Sequence, residues 1–345
     1  MKNNAYKLIA AILCAALIFA LPGCGKTQSQ AHKQLFAMDT IMTLTAYGDK
    51  ADAGVQAATD VITGLEKELD PEIEGSAVNA MDKAGGSGVT VPAAITDMLA
   101  AAKTVYERSG GALDLTVYPL SKLWGFIDLD SGGEGYVPTA AEIEEALQKL
   151  CFDKITVAGD TVTIPAGGEI SFGSVAKGYT SDSVIAAMRA AGVDSAVISL
   201  GGNVQTLGVK ADGSKWSVGV EDPNSPGSNA AILSVGETAV ITSGSYQRYF
   251  EKDGKTYHHI IDPHTGSPAE SGLKSVTIVD KSGVEADCLS TALFVLGEKA
   301  ALDYWRTYGG FEMIMISEDG RMICTSGLKD SVTLENSSYT LSWAE

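Results

Sequence analysis

The sequence of 345 residues has few of the residue types that build disulfide frameworks or nucleic-acid surfaces. It contains five cysteines, and Cys14 and Cys24 lie near the N-terminus. Cys151, Cys288 and Cys324 remain, an odd number without the spacing of a metal site, so we expect buried thiols and no disulfide framework. Basic residues are also scarce, since 25 Lys and Arg face 43 Asp and Glu and the net charge is −18. This balance disfavours nucleic acid or an anionic surface as the main partner, so a phosphorylated ligand would need local help from a metal, backbone amides or a lysine.

The apolar run near the N-terminus is too short to span a membrane. It extends from Leu8 to Leu21, whereas a membrane span needs roughly 20 residues. Two lysines precede this run and a Pro22-Gly23-Cys24 sequence follows it, so residues 1–24 are predicted to be a signal peptide. The small residue followed by cysteine resembles a bacterial lipobox, in which Cys24 is acylated and becomes the new N-terminus. A plain secretory signal with an incidental cysteine is the alternative.

The segment after Cys24 has the composition of a linker. Residues 26–33 are polar and lack apolar periodicity, so residues 25–33 are predicted to be a tether. A diacylglyceryl anchor carries two chains, which is enough for stable attachment. We therefore expect a lipid-anchored protein at the extracytoplasmic face of the cell membrane. The remaining residues, 34–345, can bury a large core as one large domain or two intimate ones.

Apolar periodicity and turn residues divide this domain into helices and strands. Apolar residues at helical spacing, with caps and stops at their ends, predict the helices. These are Ala51 to Leu69, Pro92 to Ser109, Thr139 to Leu150, a stretch beginning near Ala176, Val284 to Leu296 and Glu298 to Tyr308. Strands are expected at Gln34 to Tyr47, a hairpin from Ile155 to Ile164, Ser195 to Leu207, Trp216 to Val220, Ala239 to Ile241 and Ser275 to Val279, with two more closing the chain.

The segment from Ala112 to Phe126 has two interpretations. Asp114 and Thr116 alternate with apolar neighbours, and Trp124-Gly125-Phe126 is an aromatic cluster. Spacing alone favours a core strand followed by a hydrophobic corner. The alternative is a platform on which a planar ring stacks.

A small-residue turn near the middle of the chain predicts an anion site. A short strand from Glu169 is expected to pass through Gly173-Ser174 into the helix at Ala176, where free backbone amides favour an anion and Lys177 adds a positive charge. The spacing of a Walker A loop is absent. Further along, Gly201-Gly202 breaks a strand at a point where no Cβ would separate the backbone from a ligand.

Asp287 and Thr291 are candidate ligands of a metal ion. They are four residues apart, so in a helix both lie on one face near its N-terminus. Oxygen ligands one turn apart suit a hard cation such as Mg²⁺, which fills its other positions with water and substrate phosphates. In the alternative, Asp287 only complements the helix dipole and Thr291 is a half-buried helix residue.

Three of the four histidines fall within seven residues, His258, His259 and His264. A neutral imidazole is suited to accept a proton near neutral pH, and Asp262 begins a Pro-x-Thr-Gly turn beside them. We interpret His258 and His264 as structural strand and turn residues. His259 is the candidate base.

These motifs occur in an order that resembles the FAD:protein FMN transferase family, the ApbE-like lipoproteins, over nearly the whole mature chain. The carriers are GSVAKG, the Gly201-Gly202-Asn203 break, TSGSYQRYF, HHIIDPHTGSP and EADCLSTALFVLG, with an early MDT at Met38 to Thr40. The resemblance implies an α+β fold, with a mixed, largely antiparallel sheet flanked by helices and a ligand cleft between two lobes. It also implies a reaction that cleaves FAD, joins FMN through a phosphodiester to a Thr or Ser of another protein and releases AMP. The expected acceptor is a membrane-associated or secreted electron-transfer flavoprotein.

The resemblance also implies roles for particular residues. Mg²⁺ or another divalent metal would be held by Asp287, Thr291 and Ser174, the last through its carbonyl. His259 would assist proton transfer, and Asp262 would frame the site through its turn. Contacts to FAD are implied for Met38, Ala112, Leu113, Asp114, Ser171, Lys177 and Ile261.

Some positions depart from the family pattern. Asp39 stands where the family has glycine, Ser171 stands where it often has aspartate, and Ser245 replaces another frequent aspartate. These departures concern how the adenine and the flavin ring are held. Two other functions stay open at this point, a metal-dependent FAD pyrophosphatase that yields FMN and AMP, and a surface lipoprotein that binds flavin without turnover.

Overall fold

Several helices begin and end where local signals place them. The computed structural model describes residues 29–129 and 132–345. Thr139 forms the predicted cap, because its hydroxyl accepts from the Glu142 amide while the Glu142 carboxylate accepts from the Thr139 amide. Gly297 leaves the helical conformation with φ of 74°, so the last helix consists of two segments, as predicted. The helices of the described residues are α1 Ala51–Leu69, α2 Ala77–Lys83, α3 Ala93–Arg108, α4 Tyr118–Leu123, α5 Ala140–Leu147, α6 Ala176–Ala190 and α7 Gly283–Tyr308.

The strands form one large sheet and several small ones. In chain order they are β1 Gln30–Ala37, β2 Thr40–Tyr47, β3 Val89–Thr90, β4 Thr156–Ala158, β5 Thr161–Thr163, β6 Ser195–Leu200, β7 Asn203–Leu207, β8 Trp216–Glu221, β9 Asn229–Val235, β10 Ala239–Gly244, β11 Tyr249–Lys252, β12 Lys255–His258, β13 Ile261–Asp262, β14 Ser267–Pro268, β15 Leu273–Asp280, β16 Glu312–Ser317, β17 Arg321–Thr325, β18 Val332–Leu334 and β19 Thr340–Ala344.

The large sheet contains nine strands in the order β1-β2-β6-β7-β10-β15-β16-β17-β19. Neighbouring strands pair antiparallel along this order, and β17 and β19 pair in parallel. The sheet is therefore mixed and largely antiparallel, and helices flank it. This confirms the predicted α+β fold class.

The large sheet separates a layer of helices from a small sheet. On β10, Ile241 packs with buried residues of α3 and α7, whereas the preceding Val240 packs with β8 and β9 of the three-stranded sheet β18-β9-β8. Met313 and Ile314 on β16 divide in the same way. Successive side chains of a strand point to opposite faces, so these apolar runs are covered on both sides.

The predicted first strand, Gln34 to Tyr47, is a hairpin of two strands. β1 and β2 pair from Gln30 with Tyr47 to Ala37 with Thr40. Met38 and Asp39 connect them with φ of 49° and 57°, the left-handed conformation that a tight two-residue hairpin turn requires. The single-strand prediction was wrong because no glycine marks this turn, and Asp tolerates the conformation better than most residues. Residues 30–33, assigned to the tether, belong to β1, because backbone pairing with β2 orders them despite their polar side chains.

The segment from Ala112 to Phe126 forms turns and helix α4, so the predicted core strand was wrong. Asp114 Oδ1 accepts hydrogen bonds from the amide and the hydroxyl of Thr116, both at 2.6 Å. The Thr116 hydroxyl also accepts from the Cys151 amide at 2.9 Å. The alternation seen in the sequence thus reflects the burial of a folded loop and not a strand. The stretch from Glu169 to Phe172 is likewise irregular, although Ser171 donates its amide to the Leu115 carbonyl at 2.9 Å.

The N-terminal predictions lie largely outside the described residues. The signal peptide at residues 1–24, acylation of Cys24 and the first part of the tether therefore stay predictions. Within residues 29–129 and 132–345, no helix is long and apolar enough to cross a membrane. Cys151, Cys288 and Cys324 are free and buried, which confirms the expectation of buried thiols.

Candidate functional site

A cleft of about 590 Å³ opens where several turns of the large sheet meet the N-terminal parts of α6 and α7. Its size is in the range of small-molecule and cofactor sites. The predicted site residues that line it are Met38, Ala112, Leu113, Asp114, Ser171, Ser174, Lys177, His259, Ile261, Asp287 and Thr291. Segments far apart in the sequence thus converge on one cleft.

Asp287 contributes a buried carboxylate to this cleft, and only 4% of the residue is exposed. Its Oδ2 accepts from the Gly178 amide at 2.8 Å, and its Oδ1 accepts from the side-chain amide of Asn203 at 3.1 Å. Each oxygen keeps a lone pair for another partner, and the two donors fix the orientation of the group. Both donors are neutral, so a cation would stabilise this buried charge.

A second oxygen of the site lies at the turn before α6. Gly178 is the third residue of α6, so its amide is one of the N-terminal amides that have no acceptor within the helix. It donates to Asp287 at 2.8 Å. Ser174 precedes the cap residue Val175, so its carbonyl lies outside the hydrogen-bond ladder of the helix, and Ser174 lines the cleft.

Helices α6 and α7 cross closely beside these groups. A Cβ built on Gly178 would lie 2.6 Å from Asp287 Cβ, and still closer to the Gly283 carbonyl oxygen. Asp182 on α6 accepts from the amides of Gly283 at 2.8 Å and Val284 at 3.0 Å, which caps the N-terminus of α7. Because α6 supplies this cap, Asp287 is not needed for it. The hydrogen bonds of Asp287 go to Gly178 in the first turn of α6 and to Asn203, and its role as a metal ligand stays a prediction.

Thr291 lies one turn after Asp287 on α7, and both line the cleft as their spacing predicts. The Thr291 hydroxyl oxygen is 3.1 Å from Ser243 Oγ, and Ser243 Oγ is 2.8 Å from Ser290 Oγ. Three hydroxyl groups therefore stand in a row beside the Asp287 carboxylate.

The ligand set fits a hard divalent cation. The Ser174 carbonyl, the Asp287 carboxylate and the Thr291 hydroxyl offer oxygen only, which suits Mg²⁺ better than a soft metal. In the part of the chain that the structure describes, no group of three or more His, Cys, Asp or Glu is arranged so that it could hold a metal ion. A single carboxylate leaves most positions of a metal for water and phosphate oxygens. Magnesium itself stays a prediction.

His259 is a half-buried histidine of the cleft wall. Its Nδ1 lies 3.1 Å from the Arg248 carbonyl oxygen. A carbonyl only accepts, so Nδ1 carries the proton and Nε2 keeps a free lone pair. Burial, followed by the positive charge of Arg248, lowers the pKa of His259 to about 3. The ring is therefore neutral near pH 7, the state that a base requires.

The two neighbouring histidines have structural partners, as interpreted from the sequence. His258 Nε2 lies 3.1 Å from the Ala269 carbonyl, and its ring stacks edge-on against Phe294. His264 bridges the Gly110 carbonyl and the Asp262 carboxylate at 3.0 and 3.2 Å.

The hydrogen bonds of Asp262 lie within its own turn. Its carboxylate accepts from the His264 amide at 2.9 Å, and its carbonyl accepts from the Gly266 amide at 2.8 Å. Among the described residues, those that line the cleft do not include Asp262. This geometry agrees with framing the site, whereas a catalytic role for Asp262 stays a prediction.

The residues expected near the flavin lie on well-anchored segments. The Met38 amide donates to Glu66 Oε1 at 2.8 Å, which ties the first hairpin to α1. Asp114 is 8% exposed and burial raises its pKa, although hydrogen bonds from Thr116 lower it. Lys177 is the second residue of α6, and its positive charge contributes to lowering the pKa of His259. Lys177 and His259 therefore lie in the same region of the cleft, close enough for their charges to interact.

Of the aromatic cluster, Trp124 belongs to the core. Only 3% of it is exposed, its Nε1 donates to the Gly266 carbonyl at 2.9 Å, and its ring centroid is 5.4 Å from that of Tyr257. Phe126 lines the cleft, yet only 1% of it is exposed. The structure thus favours the hydrophobic corner over a stacking platform.

Sequence reasoning did not assign several residues that line the cleft. Asn203 follows the Gly201-Gly202 break and Ser243 lies in the TSGS motif, so both were within reach of the motifs. Tyr246 and Glu221 form a hydrogen-bonded pair of the wall, and burial followed by the Glu221 charge raises the pKa of Tyr246. Their sequence separation gave no signal of this pairing.

Fold and site together define an α+β protein with a cofactor-sized cleft that is lined by oxygen donors and a lysine. The chain belongs to the ApbE family, whose model matches residues 38–315. An FAD:protein FMN transferase of Treponema pallidum is 32% identical to it, and the alignment covers 99% of both chains. The solved structure of an ApbE protein from Thermotoga maritima superposes with a TM-score of 0.80 at 29% identity, covering 87% of this chain and 98% of that one. The apo flavinyl transferase ApbE of Pseudomonas stutzeri gives 0.75 at 30% identity, covering 85% and 92%.

Proposed function

We propose that the protein is an Mg²⁺-dependent FAD:protein FMN transferase. FAD binds in the cleft, and the hydroxyl oxygen of an acceptor Thr or Ser forms a bond to the phosphorus on the FMN side. The bond between that phosphorus and the AMP half breaks, AMP leaves, and the hydroxyl proton passes to a base. The observation that carries this proposal is the convergence of the residues implied for FAD and the metal on one cleft, in a chain that aligns along its length with a transferase of that name.

The residues of the cleft supply what the transfer needs. Lys177 and the start of α6 favour the negatively charged pyrophosphate. Ser174, Asp287 and Thr291 would hold Mg²⁺, and the cation would supply positive charge against the charge that develops on the phosphate oxygens. His259 accepts the proton at Nε2, because its Nδ1 donates to the Arg248 carbonyl.

The place of the reaction follows from the N-terminal pattern. A lipid anchor at Cys24 would put the domain at the extracytoplasmic face of the membrane. The acceptor is then a membrane-associated or secreted flavoprotein with an accessible Thr or Ser. The signal sequence supports this part of the proposal.

Intact-mass spectrometry tests the proposed reaction. An extracytoplasmic flavoprotein from the same cell is incubated with the soluble domain, FAD and Mg²⁺. We expect a mass gain of one FMN that is lost with EDTA and with Asp287→Ala. Asp303→Ala is the matched control, because it removes an aspartate from the exposed far end of the same helix, where its carboxylate pairs with Arg306 at 3.4 Å.

Other outcomes separate the alternatives. Free FMN and AMP with an unmodified acceptor would show a pyrophosphatase. Intact FAD after incubation would leave only a binding protein. Equal transfer by Asp287→Ala and the wild type would refute the role of this carboxylate.

A further inference from the structure

The hydroxyl groups of Ser290, Ser243 and Thr291 form a chain that starts at a backbone carbonyl. Ser290 Oγ donates to the Asp287 carbonyl at 3.0 Å. Ser243 Oγ is 2.8 Å from Ser290 Oγ, and Thr291 Oγ1 is 3.1 Å from Ser243 Oγ. Ser290 is fully buried, whereas Ser243 and Thr291 are half-buried and line the cleft.

The direction of each bond follows from the first one. A carbonyl oxygen can only accept, so the single proton of Ser290 is committed to Asp287. Ser290 must then accept from Ser243, and the proton of Ser243 is committed in turn. The remaining contact therefore requires Thr291 to donate to Ser243. Its lone pairs stay free while its proton is held away from them.

We propose that Ser243 and Ser290 are positioning residues that hold the Thr291 hydroxyl as an acceptor for the divalent cation. This inference rests on the proposed metal site. A hydroxyl that is free to rotate would point its proton toward a cation in part of its orientations and would bind it less well. Groups that fix a ligand in this way contribute strongly to metal affinity although they do not touch the metal.

Removing either serine breaks the chain at a different link. In Ser290→Ala the proton of Ser243 is no longer committed, so Ser243 can donate to Thr291 and turn the threonine proton toward the cation. In Ser243→Ala the threonine proton loses its acceptor. Thr291→Val removes the ligand itself but keeps its shape.

The affinity of the purified domain for Mn²⁺, measured by electron paramagnetic resonance without FAD, tests this arrangement. We expect the dissociation constant to rise by about tenfold in Ser290→Ala and Ser243→Ala, and more in Thr291→Val. Ser275→Ala is the matched control, because Ser275 is also fully buried and, within the described residues, its hydroxyl has no hydrogen-bond partner. It should bind Mn²⁺ as the wild type does.

The outcomes distinguish a failure of the hydroxyl chain from a failure of the proposed metal site. Wild-type affinity in both serine variants would overturn the positioning role while leaving the metal site intact. A wild-type domain that does not bind Mn²⁺ would overturn the metal site itself. A rise in Ser275→Ala equal to that in Ser290→Ala would show that loss of any buried hydroxyl acts through stability. If Ser290→Ala does not fold, the half-buried Ser243→Ala carries the test.

Discussion

The close crossing of α6 and α7 makes Gly178→Ala a sharp test of how the site is held. The added Cβ would lie 2.6 Å from Asp287 Cβ and even nearer to the Gly283 carbonyl. Both neighbours are parts of a helix and cannot swing aside as the end of a long side chain can. The helices must therefore separate by roughly one ångström, because close-packed interiors have no room to spare.

Two opposing effects determine how much Gly178→Ala changes the free energy of unfolding. Overpacking of a core costs about 1–3 kcal/mol, whereas replacing a helical glycine by alanine gains up to about 1 kcal/mol. Gly64→Ala on α1 isolates the second effect, because a Cβ there meets nothing within 4 Å. We expect Gly64→Ala to raise the free energy of unfolding by about 0.5–1 kcal/mol. Both variants share this gain, so Gly178→Ala should be less stable than this control by the overpacking cost of about 1–3 kcal/mol.

Urea denaturation of both variants gives these free energies, and Mn²⁺ titration gives the effect on the site. The bond from the Gly178 amide to Asp287 is 2.8 Å long, so a shift of about one ångström breaks it. Weaker Mn²⁺ binding should thus accompany the loss of stability in Gly178→Ala only. Equal stability and equal Mn²⁺ affinity of the two alanine variants would refute the view that the close crossing of α6 and α7 positions Asp287.

Further predictions concern pH and a strained turn. Arg248→Gln should raise the pKa of His259 from about 3, because it removes a neighbouring positive charge, and NMR titration of the ring would show this; an unchanged pKa would contradict it. Burial raises the pKa of Asp82 to about 6. Between the pKa of about 3.9 in the unfolded chain and this value, the folded state holds a proton that the unfolded state has lost. The free energy of unfolding therefore falls as pH rises through this window. Asp82→Asn should therefore be more stable than the wild type at pH 8 and no more stable at pH 4, since its carbonyl oxygen can still accept from the Ile170 amide; a gain that is equal at both pH values would exclude the linkage. Asp39→Gly should raise the melting temperature, because Asp39 has a φ of 57° that glycine adopts without strain; a lower value would show that the aspartate side chain stabilises the turn.

Elements with local signals could be predicted from the sequence. Helix α1 has the predicted bounds, because its apolar periodicity runs through the helix and the Asp70-Pro71 stop lies at its C-terminal end. The β4–β5 hairpin turns at Gly159-Asp160 as expected, because glycine marks the turn. The first hairpin was missed because its turn is formed by Met38 and Asp39, which carry no such mark.

The candidate site could be predicted where side-chain identity carries the chemistry. Asp287, Thr291, Lys177 and His259 all reach the cleft. Ser174 is different, because its part rests on a carbonyl that every residue has, and only its place just before the cap of α6 brings that oxygen to the cleft. The pairing of Ser243 with Ser290 spans 47 positions, so no local pattern could announce it.

The neutral oxygen ligands of the proposed metal site would let a chain of net charge −18 accept a pyrophosphate. A carboxylate-rich metal site would return a negative charge to the cleft even with a divalent cation bound. Here Asp287 alone among the proposed ligands is charged, so a bound Mg²⁺ would leave the site positive, and Lys177 adds to that charge. The buried amides of Gly178 and Asn203 stabilise the carboxylate without neutralising it. Asp39, Asp114, Glu221 and Arg248 also line the cleft, so a bound cation together with Lys177 would offset the carboxylates among them, and the more distant acidic residues are screened beyond about 8–10 Å.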